Sequence, residues 1–203
     1  MASRTYPPIA REGWLVIFVA LAASLAVAHE FDWWSAPLWL VTGALMYLFR
    51  DPPRNVPAVP LGVLSPADGY VVSVEEAHDA YLDREAVRVS LDMRFSGIFS
   101  VRGPVEGKLV QQWREESGGR ERALWLKTDE GDDVVTVMRP GRLSWRSACY
   151  YHSGERIGQG MRCGFLLFGS RIDLYLPLRS RVSVKPGERV LSGTSVIARL
   201  VHP

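Results

Sequence analysis

Two apolar runs without a single charge, near the start of the chain, constrain its fold more than any other feature. They cover Gly13–Ala28 and Ser35–Phe49, and the short polar break His29–Asp32 separates them. Each run has about 15 residues and would form a helix of about 22 Å. A helix that crosses a bilayer usually needs ~20 residues, so both runs are short for this. We therefore expect residues 1–50 to form an α-helical membrane hairpin, which either spans the bilayer or enters it without crossing fully.

The charges around these runs predict the side of the membrane on which the rest of the chain lies. Basic residues flank the pair of runs, at Arg4, Arg11, Arg50 and Arg54, whereas the break between them carries Glu30 and Asp32. Tryptophans suited to an interfacial belt occur at Trp33, Trp34 and Trp39. By the positive-inside rule, both ends of the hairpin and the body that follows are expected on the cytoplasmic side of the cell (inner) membrane.

A cleaved signal peptide is the alternative for the first run, because an apolar stretch after Arg4 and Arg11 would fit one. We disfavour it because a second apolar run follows at once. In addition, no strong small-x-small cleavage site stands out.

The charge balance and the cysteine content argue against several classes of function. The 203 residues carry a formal net charge of +2, so the chain has no basic footprint for nucleic acid. The two cysteines, Cys149 and Cys163, lack the Cys-x-x-Cys or histidine spacing of a zinc site. We expect no metal site, and we expect both cysteines to be buried small hydrophobic residues of a cytoplasmic body.

A proline-rich connector over residues 51–61 leads into a β-rich domain over residues 62–203. Prolines at this density exclude a helix and favour an extended spacer. Short strand-like runs lie at Tyr70–Val74, Val87–Leu91, Ala123–Lys127 and Val134–Met138, with a hairpin loop at Thr128–Asp133. The charged, glycine-split segment Gln111–Arg122 predicts an exposed loop.

Two internal repeats indicate how these strands are arranged. Pro66–Val72 is similar to Pro104–Val110, 38 residues later, and Gly154–Gly160 is similar to Gly187–Gly193, 33 residues later. Two copies are too few for a solenoid. The repeated Gly-Glu-Arg pattern looks like the hairpin sequences of lipoyl- and biotinyl-type domains. We therefore expect a mainly β fold, barrel-sandwich-like (lipoyl/biotinyl-hammerhead-like) and quasi-duplicated, behind the N-terminal α-helical hairpin.

The segment Leu166–Pro177 contains a bare Gly169–Ser170 step followed by alternating residues. Ile172, Leu174 and Leu176 alternate with Arg171, Asp173 and Tyr175, which predicts a half-buried strand. Gly169 leaves its carbonyl unshielded, so the Ser170 hydroxyl could attack it, given an oxyanion partner and a base. Most Gly-Ser pairs are turns, and the step alone decides nothing.

The longer string Phe168–Pro177 resembles the processing site of the phosphatidylserine decarboxylase family, in its short bacterial and archaeal form. Three further motifs follow the family's order, at Phe49–Arg54, Ser65–Gly69 and Arg102–Gly107. The resemblance covers about Trp14 to Leu200. It implies a membrane-associated, self-processing lyase that converts phosphatidylserine to phosphatidylethanolamine and CO₂.

The resemblance also implies how such an enzyme matures. Ser170 would attack the carbonyl of Gly169, and the resulting ester would break by elimination. The products are a β chain, residues 1–169, and an α chain, residues 170–203, which remain together as a heterodimer. Ser170 becomes a covalent pyruvoyl group, through which the lipid amine is held as a Schiff base during decarboxylation.

The same resemblance assigns roles to individual residues. Asp68 matches the family's catalytic aspartate, which orients or assists the group that deprotonates Ser170; from the residues alone, an Asp-Gly turn is the simpler interpretation. The positions at which family members carry a histidine are Phe99 and Arg102 here. Arg102 and Arg171 are candidates for binding the lipid headgroup.

Two alternatives remain open at this point. The missing histidine allows an uncleaved, catalytically impaired family member that serves as a membrane-bound binding or scaffold protein. A membrane-fusion or adaptor protein with a barrel-sandwich domain is the other, and the lack of a heptad stretch disfavours it.

Overall fold

The computed structural model describes residues 8–94, 97–114, 121–142, 144 and 147–201, without the side chains of Phe31, Asp32, Trp34 and Ser170. The chain forms two compact units, Met1–Pro53 and Arg54–Pro203.

The first unit is a pair of apolar helices. A 3₁₀ turn at Arg11–Gly13 leads into α1 (Trp14–Phe31), and a second 3₁₀ turn at Asp32–Ser35 leads into α2 (Ala36–Leu48). The segment Arg11–Glu30 is long and apolar enough to cross a membrane by length and composition, whereas α2 is shorter. The predicted helices are confirmed, although α1 continues through most of the expected polar break and the turn follows it.

In this unit polar side chains are buried between the helices and apolar side chains are exposed, the reverse of a water-soluble helix pair. The hydroxyls of Ser24 and Thr42, both buried, lie 3.0 Å apart across the two helices. Large apolar side chains are exposed instead, among them Leu15, Phe18, Val19, Leu40 and Val41. The surface of the helix pair is therefore mostly apolar, which is unusual for a surface in contact with water.

The described residues of the second unit form strands joined by turns and loops, with no helix among them. They are β1 (Gly62–Leu64), β2 (Gly69–Asp79), β3 (Arg84–Met93), β4 (Ser100–Arg102), β5 (Gly107–Arg114), β6 (Arg122–Lys127), β7 (Asp133–Pro140), β8 (Ser147–Cys149), β9 (Arg156–Ile157), β10 (Arg162–Leu166), β11 (Gly169–Pro177), β12 (Arg181–Val182), β13 (Arg189–Val190) and β14 (Val196–Arg199). All four predicted strand runs are confirmed, within β2, β3, β6 and β7.

The described strands form one large curled sheet and two small ones. The large sheet is antiparallel with the order β13-β2-β3-β11-β7-β6-β5-β9, and the small sheets have the orders β1-β14-β12 and β4-β10-β8. The main core includes Leu91, Met138, Ile172, Leu174 and Leu176, which are fully buried. Strand β11 therefore lies at the centre of the unit.

The internal repeats correspond to a duplicated hydrogen-bond pattern. The amide of Leu64 donates to the carbonyl of Pro104, and the amide of Arg102 donates to that of Pro66, at 2.8 and 2.9 Å. Likewise β13 pairs with the start of β2, and β9 pairs with the start of β5. The mainly β class is confirmed and the repeats occupy matching places, while the lipoyl/biotinyl-hammerhead-like name stays a prediction.

Two local predictions are wrong. The segment Gln111–Arg122 is not a loop throughout, because Gln111–Arg114 extends β5 and Arg122 begins β6; residues 115–120 lie outside the described part. Strand β11 is not half-buried, because Asp173 and Tyr175, expected on a polar face, are only 2% and 5% exposed. The curled sheet covers both faces of β11 over most of its length.

Candidate active site

The Gly169–Ser170 step lies at the first residues of the central strand. Gly169 pairs with Pro140 of β7, and the next pair in that ladder is Arg171 with Arg139. Residue 170 is thus the extra residue of a bulge and has no directly opposite partner on β7. Bulges at strand ends re-aim the backbone, so this step is set apart from the regular ladder that follows it.

The backbone before the step is held tightly. Phe168 has a φ of 50°, a left-handed conformation that is uncommon for a bulky residue and costs free energy. A Cβ atom on Gly169 would lie 2.6 Å from Leu166 side-chain atoms and 2.8 Å from the Met93 sulfur. Any larger residue there would require the Leu166 and Met93 side chains to shift, and the carbonyl of Gly169 is left without a shielding side chain.

Phe99, one of the positions at which family members carry a histidine, lies beside this step. Its ring is 1% exposed and packs edge-on against Phe168, with 5.5 Å between ring centroids, and against Phe165 at 6.4 Å. A phenyl ring cannot transfer a proton. The family's histidine position is therefore spatially at the candidate site, but here it contributes packing.

Asp68 lies at the same end of the sheet as the Gly169–Ser170 step. Its carboxylate accepts a hydrogen bond from Arg54 Nη2 at 2.7 Å and another from the backbone amide of Ser192 at 2.7 Å. Gly69, which follows it, pairs with Met93 at the end of β3. Because β3 separates β2 from β11, the two backbones are about 10 Å apart. Asp68 would therefore act on residue 170 through an intervening group.

Arg102 lies at the other end of β4 from Phe99. It pairs with Arg162, is 3% exposed, and donates from Nη1 to the carbonyl oxygen of Gly160 at 3.2 Å. Its Cδ atom is also close to Gly193, at the matching place of the second repeat. These contacts place Arg102 where the repeated loops meet, opposite Arg162, which precedes Gly169 by seven residues.

The histidines of the described residues lie elsewhere. His78 is near the tip of the β2–β3 hairpin, where it contacts Asp83 and Glu85 at 3.2 and 3.4 Å. His152 is exposed in the loop before β9, and His29 lies in the first unit. Nine residues of β2, about 30 Å, separate His78 from Gly69.

A charged row that the sequence interpretation missed crosses the sheet beside residue 170. Arg171, which is exposed, lies directly opposite Arg139 of β7 and Asp92 of β3. Arg139 Nε lies 3.0 Å from Oδ2 of the buried Asp173, whose Oδ1 accepts a hydrogen bond from Ser90 Oγ at 2.6 Å. No signal in the sequence pairs Arg139 with Arg171, because strand register joins them across 31 intervening residues.

The prediction that both cysteines are buried is confirmed for Cys163 but not for Cys149. Cys163 is buried and Cys149 partly so, and burial raises the pKa of both thiols above the ordinary value. Within the described residues, histidine, cysteine, aspartate and glutamate form no group of three or more that could hold a metal ion.

Comparison with known proteins supplies the family. The model of the phosphatidylserine decarboxylase family matches residues 93–198. The phosphatidylserine decarboxylase proenzyme of Nitrosomonas europaea is 40% identical over 95% of both chains. Those of Aromatoleum aromaticum and Burkholderia multivorans are 38% and 37% identical, over 96% of this chain and 97% of theirs. No solved structure matches.

A decarboxylase proenzyme is thus the class of protein to which the similarity points. The chain belongs to the phosphatidylserine decarboxylase family, as its motifs predicted. The names of the relatives favour an enzyme over both non-enzymatic alternatives.

Proposed function

We propose that the chain is a membrane-associated proenzyme that cleaves itself between Gly169 and Ser170 and then decarboxylates phosphatidylserine. The observation that carries the proposal is the position of this step, which is bulged out of the ladder at the start of the central strand in a chain of this family. Asp68 and Arg171 are the other residues of the proposed site.

Self-cleavage starts with the Ser170 oxygen, which attacks the carbonyl carbon of Gly169 as its proton is transferred to the leaving backbone nitrogen. The C–N bond breaks and an ester joins the two residues. Loss of the Cα proton of residue 170 then expels the Gly169 carboxylate and leaves dehydroalanine. Water replaces its nitrogen, which leaves as ammonia, and a pyruvoyl group remains at the start of residues 170–203.

The residues present fit such a group. Residue 170 has no directly opposite partner on β7, and Gly169 brings no side chain to the step. The pyruvoyl group, once formed, supplies an electron sink for decarboxylation. Asp68, fixed by Arg54 and Ser192, orients or assists the group that deprotonates Ser170, while Arg171 binds the charged headgroup.

The helical unit supports location at a membrane, where the lipid substrate resides. Its exposed apolar side chains suit lipid contact, and basic residues at its ends favour the cytoplasmic side of the inner membrane. We propose that residues 1–50 form the anchor, residues 51–61 the connector and residues 62–203 the catalytic domain. Arg102, held by Gly160, is the weaker of the two candidates for headgroup binding.

Intact mass spectrometry tests self-cleavage directly. Wild-type protein should yield a 34-residue fragment, residues 170–203, whose N-terminus is blocked by a pyruvoyl group and reacts with carbonyl reagents. Ser170→Ala should remain a single 203-residue chain, whereas Ser183→Ala, at an exposed serine of the same fragment, should cleave normally. Uncleaved wild-type protein without a reactive carbonyl would contradict the proposal.

A further inference from the structure

We infer that Arg139 and Arg171 together form a binding site for the phosphodiester of the lipid headgroup. The inference rests on the proposed function and extends it, because it adds Arg139 to the site. It also gives the buried Asp173 a role in positioning Arg139.

The register of the sheet brings the two arginines together. They lie directly opposite each other on β11 and β7, and so point to the same face. Cβ atoms of such pairs are about 4.5–5.5 Å apart, and like charges on directly opposite residues destabilise a sheet. Asp173 offsets the charge of Arg139, and Asp92 lies opposite Arg171 on the other side. An anion held between the two guanidinium groups would be attracted by both of them.

Arg139 is fixed by a buried carboxylate. Asp173 is 2% exposed, and its two oxygens face Ser90 Oγ at 2.6 Å and Arg139 Nε at 3.0 Å. Glu121 lies farther from Arg139, at 3.8 Å, and the Arg139 side chain keeps 39% of its surface exposed. A guanidinium held along its Nε edge retains a fixed, planar orientation at the surface of the sheet.

The chemistry of the pair selects the kind of ligand. Arginine stays charged at any physiological pH and binds phosphate oxygens in a bidentate manner. In a serine phospholipid only a short carbon link separates the phosphodiester from the amine. A phosphodiester bound next to residue 170 would therefore place that amine at residue 170, where the proposed chemistry needs it.

Binding to the uncleaved chain tests the inference independently of activity. Calorimetry on full-length Ser170→Ala protein should detect soluble glycerophosphoserine, and Arg171→Gln or Arg139→Gln should weaken its binding about 10- to 100-fold, the loss of one charge-assisted hydrogen bond. Arg88→Gln is the matched control. Arg88 is on the same face but opposite Tyr175, paired with Glu75 at 2.6 Å, and its loss should leave binding unchanged.

Two further arms separate the possible outcomes. In cleaved protein, the same arginine substitutions should raise KM for phosphatidylserine by a similar factor and leave kcat nearly unchanged, with partial rescue by Arg139→Lys. Inorganic phosphate serves as a competitor. If the arginine pair binds any phosphate, inorganic phosphate displaces glycerophosphoserine at equal concentration; if the pair requires the whole headgroup, glycerophosphoserine stays bound.

Loss of Arg139 leaves the carboxylate of Asp173 buried without its cation and could unfold the protein. The double variant Arg139→Gln/Asp173→Asn avoids this and should show the same weakened binding. Unchanged binding and unchanged KM in Arg171→Gln and in the double variant would overturn the inference while leaving self-cleavage intact. An uncleaved wild-type chain would instead refute the proposed function alone.

Discussion

Asp68 and Glu106 occupy the same place in the internal repeat, yet their surroundings differ. The side chain of Asp68 is 13% exposed and has Arg54 at 2.7 Å, in addition to the Ser192 amide. Glu106 is 66% exposed, and Arg156 lies 3.8 Å away. The position is therefore mostly buried and doubly hydrogen-bonded in one copy only, which makes Asp68 and not Glu106 the candidate for a catalytic role.

Asp68→Asn should therefore slow self-cleavage by about 100-fold or more, which is the usual scale of positioned proton transfer. The reason is that a neutral amide cannot stabilise the positive charge that develops on the group that deprotonates Ser170. The measurement is the fraction of cleaved chain with time after synthesis, followed on denaturing gels. Glu106→Gln is the matched control and should cleave at the wild-type rate. Equal rates in all three proteins would remove Asp68 from the mechanism.

At the level of single residues, the motifs predicted the step and its candidate aspartate, but not the neighbours of the step. Phe99 packs on Phe168 and Met93 lies against Gly169 through tertiary packing, and Arg139 lies opposite Arg171 through strand register. None of these pairings is local in sequence. A single sequence contains patterns that mark strands but nothing that fixes the register of strands far apart along the chain.

At the level of elements, β11 shows why alternation can mislead. Its alternating residues predicted one polar face, and Arg171 is indeed exposed. Tyr175, farther along the same face, is buried in a second apolar cluster with Val135 and Val137, against which Trp113 and Trp125 pack. Alternation reveals which residues share a face, whereas burial depends on what the curled sheet places over that face.

The two strand-initial glycines, Gly69 and Gly107, allow stability and chemistry to be separated. A Cβ on Gly69 would fall on the carbonyl oxygen of Asp92, and one on Gly107 on that of Lys127. Both alanine variants should lose about 1–3 kcal/mol through the same forced backbone shift, measured by urea unfolding. Only Gly69→Ala should also slow self-cleavage, because only that strand start lies at the candidate site. If Gly107→Ala slowed it equally, the effect would be one of global stability.

At the scale of the whole molecule, the sequence predicted the two classes of structure, an apolar helix pair and a mainly β body. It did so because a run without charges and a repeated glycine pattern are properties of composition and order alone. The pairing of the two repeats through Leu64–Pro104 and Arg102–Pro66 is a property of the folded chain. That pairing makes the body a single duplicated core, with the candidate site at one end of its central strand.

Because the body has its own core, residues 54–203 should fold and cleave without the helical unit but should lose attachment to membranes. We expect vesicle flotation to fall at least about 100-fold, because burying even two large apolar side chains in lipid contributes about 3–6 kcal/mol.

In the full chain, Val19→Lys combined with Leu40→Lys, both at exposed helix positions, should also weaken flotation. Leu178→Lys, at an exposed position of the body, is the control and should have no effect. If the truncated chain floats as well as the full-length chain, membrane binding lies in the β body instead. The mass of the truncated chain shows separately whether it cleaves itself without the anchor.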